Sequence, residues 1–147
     1  MPLATDLSLC HNINMEIKEY NNFYLEEIIH LYESVGWINY LEKSDILERA
    51  YARSLCVLAA YDEDQLIGII RAVGDGVTIV FIQDIIVLPE YQRRGIGTQL
   101  LQSVIEKYEH VYQMELLTDN TEKAKAFYRS AGFNSAEDLD CVTFLKM

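Results

Sequence analysis

The chain has 147 residues, half of them apolar, and carries 23 acidic against 12 basic side chains for a formal charge of −11. That length supports one domain over residues 1–147, with room for the core of a small enzyme. An acidic balance with dispersed arginines sets nucleic acid aside as a partner, and no apolar run approaches the ~20 residues of a spanning helix, so no membrane is expected either.

Residues before Ile13 show no clear period and are expected as a loose lead or an extra strand. Met15 to Tyr20 alternates apolar and charged, which predicts a strand with one wet face. A helix follows, capped by Asn21 or Asn22, with Tyr24, Ile28, Leu31, Tyr32 and Val35 as its apolar stripe and Gly36 as its stop. The turn from Gly36 to Tyr40 is loaded with aromatics, and Trp37 and Tyr40 read equally as lining for an acceptor pocket or as cover for the core. A second helix is expected from the cap Ser44 to near Ser54, with Ile46, Leu47, Ala50 and Tyr51 facing inward. Leu55–Tyr61 and Leu66–Val73 flank a polar turn and predict an antiparallel hairpin, and Gly74-Asp75-Gly76 leads into a long strand, Val77–Leu88.

Pro89 ends that strand by removing a ladder donor. After Gln92-Arg93-Arg94-Gly95-Ile96-Gly97-Thr98, the residues Ile96, Leu100, Leu101, Val104, Ile105 and Tyr108 recur at helical spacing. Strand, glycine-punctuated loop and helix read either as a tight turn that merely needs two glycines or as an anion site, since the first helical turn offers amides without intrahelical partners and the peptide dipoles add positive potential. Met114–Thr118 predicts a further strand, parallel to Ile82–Leu88 because a helix separates the two. The last helix runs from Glu122 to about Ala131, and Cys141–Met147 is expected to close the chain as a strand.

The loop is neither a dinucleotide fingerprint, which needs a glycine where Leu100 stands, nor a Walker loop, which needs Gly-Lys-Ser/Thr. It resembles the pyrophosphate loop of the GNAT superfamily of N-acetyltransferases, Gln/Arg-x-x-Gly-x-Gly/Ala, through Gln92, Gly95 and Gly97. Asn120 to Phe133 resembles the same family's Asn-x-x-A-x-x-F-Y-x-x-x-G-F segment, with one residue too many between Asn120 and Tyr128. The resemblance covers roughly Ile17 to Phe133. It implies an α/β fold, a mixed sheet of six to seven strands with about four helices and a splayed parallel strand pair in the centre. It also implies acetyl-coenzyme A as cosubstrate. The family's pattern places the pyrophosphate on Arg93, Arg94, Gly95, Ile96, Gly97 and Thr98, with Gln92 beside them, and the pantetheine arm on Ile85, Ile86 and Val87. Phe127 and either Asn120 or Thr121 fall against the same cosubstrate.

The implied reaction is acetyl transfer to a primary amine by direct attack in a ternary complex, with Tyr128 as the acid that meets the leaving thiolate and a strand amide near Ile86 stabilising the oxyanion. The base is Asp84, a carboxylate inside an apolar strand, or Glu115 on the neighbouring strand; a structural salt bridge explains either carboxylate equally well, and a water chain would replace both. The alternative is a module that keeps the pocket to sense acyl-coenzyme A. A small amine, a peptide N-terminus, a protein lysine and an aminoglycoside all stay open as acceptors. The histidines His11, His30 and His110 match no ligand spacing, so no metal is expected. Cys10, Cys56 and Cys141 form no paired pattern and the first residues carry no secretory signal, which points to the cytoplasm. A homodimer is an expectation that no residue pattern specifies.

Overall fold

The computed structural model describes residues 13–147, so the expected lead or extra strand before Ile13 lies outside the described residues. Five strands make one sheet in chain order: β1 (Met15–Glu19), β2 (Cys56–Asp62), β3 (Gln65–Gly74), β4 (Ile79–Val87) and β5 (Gln113–Leu116). The first four form an antiparallel meander, and β5 joins β4 in parallel after a helical crossover. The expected parallel pair is therefore present, but it sits at the edge of the sheet rather than in its centre. The strand count is lower than expected because Cys141–Met147 runs as irregular chain and pairs with no strand among the described residues.

Helices α1 (Leu25–Ser34) and α2 (Ser44–Ala52) cover one face of the sheet, and α3 (Ile96–Lys107) covers the other; α4 (Glu122–Ser130) follows β5. On the α3 side the sheet approaches closely at Gly68, where a Cβ would stand 3.2 Å from both Leu100 Cδ1 and the Ile86 carbonyl oxygen. Neither expected asparagine caps α1. Tyr24 is its N-cap, and the Tyr20 hydroxyl stands in for a capping oxygen by accepting the Tyr24 amide at 3.0 Å while donating to Glu27 at 2.7 Å. Ser44 likewise begins α2 instead of capping it, because a 3-10 turn over Ile38–Lys43 delivers the chain into the helix.

The end of α1 sets up the site. Gly36, at φ 78°, donates to Glu33 O at 3.0 Å, and Trp37 donates to Tyr32 O at 2.9 Å. This paired closure of the last turn fixes the direction in which Trp37 leaves the helix. β4 contributes a second special feature. Its register against β3 steps from Arg71 opposite Asp84 to Ala72 opposite Ile82, so Gln83 is an extra residue in a bulge. Bulges bend and twist a strand. The ladder between β4 and β5 stops at the same place, with Ile82 opposite Leu116.

Candidate active site

Beyond Ile82 the two parallel strands part, and a cleft of about 250 Å³ opens between them. Ile82, Gln83 and Ile85 line it from β4, Leu117, Thr118 and Asp119 from the end of β5, Tyr128 from α4 and Trp37 from the end of α1. Which main-chain groups face the gap follows from one bond. Leu88 donates to Ile67 O on β3 at 2.9 Å, and strand alternation then turns Ile86 toward β3 and Ile85 and Val87 toward the gap. The expectation for Ile86 is corrected accordingly: its main chain is used inside the sheet, and its side chain is buried. Of the expected three, Ile85 and Val87 turn their main-chain groups toward the gap, where the Val87 carbonyl is taken by Gln92 Nε2.

At the end of β4 the chain is held by several ties. The Tyr91 hydroxyl donates to Asp62 Oδ2 at 2.8 Å, Gln92 Nε2 donates to Val87 O at 2.9 Å, and the Arg94 guanidinium lies over the Tyr91 ring at 5.5 Å. Arg93 and Gly95 both take left-handed backbone angles, φ 63° and 79°, and such alternation curls successive amides toward one point. The left-handed Arg93 costs about 1 kcal/mol that a glycine would avoid, a cost that recurs where function needs the backbone shape. Gly95 is the N-cap of α3, and the first amide to return to the helix is Gln99, which donates to Gly95 O at 3.0 Å. Among the described residues, no acceptor takes the amides of Arg93 through Thr98. Those donors lie on a helix N-terminus beside two arginines, a setting that favours an anion. Gly95 faces open space, while Gly97 lies where a Cβ would come 3.8 Å from the Phe127 ring and from Val87 Cγ2. This places Phe127 beside the loop.

Tyr128 sits in the same cleft. Burial pushes its phenol above the ordinary range, a hydrogen bond with the Thr118 side chain pulls the other way, and the Asp119 carboxylate raises it further. The group is a proton donor at neutral pH. Asn120 lies exposed in the turn between β5 and α4, and the extra residue in this segment is absorbed there, with Thr121 donating to Asp119 O at 2.8 Å. The Thr121 hydroxyl is engaged as the α4 cap, accepting from Ala124 N at 3.2 Å. Of the two polar candidates, Asn120 is the one whose side chain is not used by the helix.

Asp84 does not line the cleft. It is 4 % exposed, accepts from Arg71 Nε at 2.7 Å and from the Tyr32 hydroxyl at 2.8 Å, and lies between the sheet and α1 and α2. The Tyr51 hydroxyl joins Tyr32 at 3.0 Å. Both contacts fall on Oδ2 and hold the carboxylate in the interior away from the cleft, which is the arrangement of the structural salt bridge that the sequence leaves open. Burial, followed by the neighbouring Tyr51 and then Asp84, pushes the Tyr32 phenol far up, and Asp84 raises Arg71 against the opposing effect of its burial. Glu115 is also absent from the cleft: it is exposed on β5, where the Gln113 amide bonds to it. Trp37 lines the cleft, whereas Tyr40 packs edge-on against Tyr32 with ring centres 5.6 Å apart and serves the core. Gln83 and Asp119 are cleft residues that the sequence reading did not single out. The bulge that exposes Gln83 is invisible in its strand-like sequence, but Asp119 was accessible as the carboxylate ending a parallel strand at the ligand edge of the sheet.

A sequence profile for the acetyltransferase (GNAT) domain matches residues 53–135. The structure superimposes on a GNAT-family acetyltransferase of Streptococcus pneumoniae TIGR4 with a TM-score of 0.82 and 42% identity, covering 90% of this chain and 97% of that one. A PaiA N-acetyltransferase of Thermoplasma acidophilum, solved in complex with coenzyme A, shares the fold at TM-score 0.69 and 20% identity, with 83% and 91% of the two chains covered. In sequence the chain is 30% identical over 82 residues to a Gibberella zeae protein named an acetyltransferase, matching 54% of this chain and 45% of the length of that protein. No helix among the described residues is long and apolar enough to cross a membrane, and no group of histidine, cysteine and carboxylate side chains among them could hold a metal ion.

Proposed function

Because this chain belongs to the GNAT acetyltransferase family, we propose that it transfers the acetyl group of acetyl-coenzyme A to a primary amine, with both substrates held together in the cleft between β4 and β5. The observation that carries the reading is the placement of the unclaimed amides of Arg93 to Thr98 at the end of a strand gap that also contains the Tyr128 hydroxyl. Bound acetyl-coenzyme A supplies a thioester, an acyl group already activated toward an amine.

The chain's own groups divide the work. The amides of Arg93 to Thr98, with the charges of Arg93 and Arg94, hold the diphosphate. Asn120 and Phe127 flank the same ligand. Ile85 presents its amide and carbonyl, and Val87 its amide, to the amide-bearing arm, and together they orient the reacting carbonyl. One of these strand amides also faces the place where negative charge develops. Tyr128 keeps its proton at the hydroxyl and delivers it to the departing sulfur. Asp119 gives the cleft a carboxylate that draws in a cationic acceptor and receives a proton from it, directly or through water. Trp37 supplies a broad apolar wall for the acceptor's body.

The acidic surface, −11 over the chain, favours a cationic acceptor: a small amine, a protein lysine or N-terminus, or an aminoglycoside. The deciding experiment incubates pure protein with acetyl-coenzyme A and an amine panel, measuring free thiol and acetylated product by mass spectrometry. Amine-dependent thiol release supports transfer. Saturable coenzyme A binding with no release from any amine class would replace the enzyme by an acyl-coenzyme A sensor.

A further inference from the structure

We propose that Tyr91 is a positioning residue for the cosubstrate: it ties the loop to Asp62 on β2 and carries Arg94 on its ring, so that the loop amides and one guanidinium stand in their binding arrangement before the ligand arrives. This role presupposes that coenzyme A is the ligand of the loop.

The loop needs such a hold. Arg93 is left-handed, φ 63°, and a residue with a side chain stays there only where its surroundings over-determine it. After it come Arg94 and the Gly95 cap of α3. Before it stand Gln92 and Tyr91, and both are anchored by their side chains. The Gln92 bond to Val87 O is local, spanning five residues. The Tyr91 bond reaches across the fold: its hydroxyl donates to Asp62 Oδ2 at 2.8 Å, 29 residues away at the end of β2, with Gln65 Oε1 at 3.4 Å as a second acceptor. Asp62 is a firm post for this purpose. It is 7% exposed, and its Oδ1 accepts the Asn14 amide at 3.3 Å beside the start of β1. The bond to Asp62 raises the Tyr91 phenol above its ordinary range, so the hydroxyl remains a donor at neutral pH.

The ring has a second use. The Arg94 guanidinium lies 5.5 Å over it, where the negative face of the ring attracts a cation and narrows the range of a long side chain. An arginine already restrained gives up less freedom on meeting a diphosphate, and the difference appears as affinity.

The test compares coenzyme A with pantetheine, which lacks the diphosphate and the nucleotide. Nitrogen-15 shift titrations of the full chain measure both dissociation constants, and melting curves follow stability separately. Tyr91→Phe keeps the ring under Arg94 but removes the hydroxyl, and should weaken coenzyme A about threefold to tenfold. Tyr91→Leu removes both and should weaken it further, while pantetheine binds each variant as it binds the parent. Asp62→Asn in the Tyr91→Phe background should add less loss than it causes alone, because the two groups act through one bond. With acetyl-coenzyme A, KM should rise and kcat hold. Unaltered coenzyme A affinity in Tyr91→Leu, an equal loss for both ligands, losses from Asp62 and Tyr91 that simply add, or a fall in kcat at constant KM would each overturn the positioning role. A parent that binds no coenzyme A would overturn the cosubstrate reading beneath it, and this role with it.

Discussion

Replacing Asp84 by asparagine separates a structural carboxylate from a catalytic one. Asp84 and Arg71 are 4% and 6% exposed and meet at 2.7 Å, so the substitution leaves a guanidinium in the interior without its counter-charge. Breaking a buried pair from one side costs about 3–5 kcal/mol, a large share of the roughly 5–15 kcal/mol that holds a domain folded. At this chain length that corresponds to a fall in melting temperature of about 6–20 °C. The Tyr32 hydroxyl would also exchange a charged acceptor for a neutral one, adding to the loss. Thermal and urea melts, followed by rates per folded molecule well below the transition, measure the two effects independently. Activity should stay within about threefold of the parent, since a misplaced general base typically costs about 10²–10⁴-fold. An Arg71→Met, Asp84→Leu double variant should regain much of the stability, because an apolar pair of similar volume avoids the desolvation of both charges. An Asp84→Asn protein that melts like the parent yet loses its turnover would refute the structural assignment and restore Asp84 as the base.

Tyr128→Phe should lower kcat about 10²-fold or more with coenzyme A affinity unchanged; calorimetry beside steady-state rates checks both. Since burial raises this phenol, no loss of rate from its ionisation is expected below about pH 10. Gly95→Asp should weaken coenzyme A binding at least tenfold, about 1.4 kcal/mol, by setting a carboxylate at the anion cradle. Gly95→Ala meets open space and pays only the left-handed backbone cost of about 1–2 kcal/mol, seen in the melt rather than in binding. Tyr20, Tyr32 and Tyr51 are all raised in the folded state, chiefly by burial. Their contribution to stability is therefore complete below the unfolded pKa of about 10 and is lost as pH climbs above it, at up to about 1.4 kcal/mol per unit and group. Urea midpoints that hold to pH 10 and fall steeply beyond it are the expected record.

Much of this architecture is legible in local sequence, and the rest depends on contacts between distant segments. The hairpin from Cys56 to Gly74, the crossover through α3 and the glycine loop all emerge where strand composition, turn residues and helical period agree over short windows. Asp84 shows the limit. A carboxylate in an apolar strand announces that something must compensate it, but its partners Arg71 and Tyr32 lie 13 and 52 residues away, and only the folded sheet brings them together. The α1 cap was missed for a related reason: the hydroxyl that takes the Tyr24 amide belongs to Tyr20, outside the residue types that usually cap. The final seven residues have the composition of a strand, yet a strand needs a neighbour, and they pair with none among the described residues. The family pattern puts Ile85, Ile86 and Val87 at the gap, and the bond from Leu88 to Ile67 turns Ile86 alone away from it.

The claim on which the account rests is that the amides of Arg93 through Thr98 hold the diphosphate of coenzyme A. Titrating coenzyme A into nitrogen-15-labelled protein and following each amide resonance tests it directly. The largest shifts are expected at Arg93 through Thr98, accompanied by Ile85 and Val87 in the strand gap. Saturable binding whose shifts cluster elsewhere, or no shift in the loop at millimolar ligand and low salt, would contradict it.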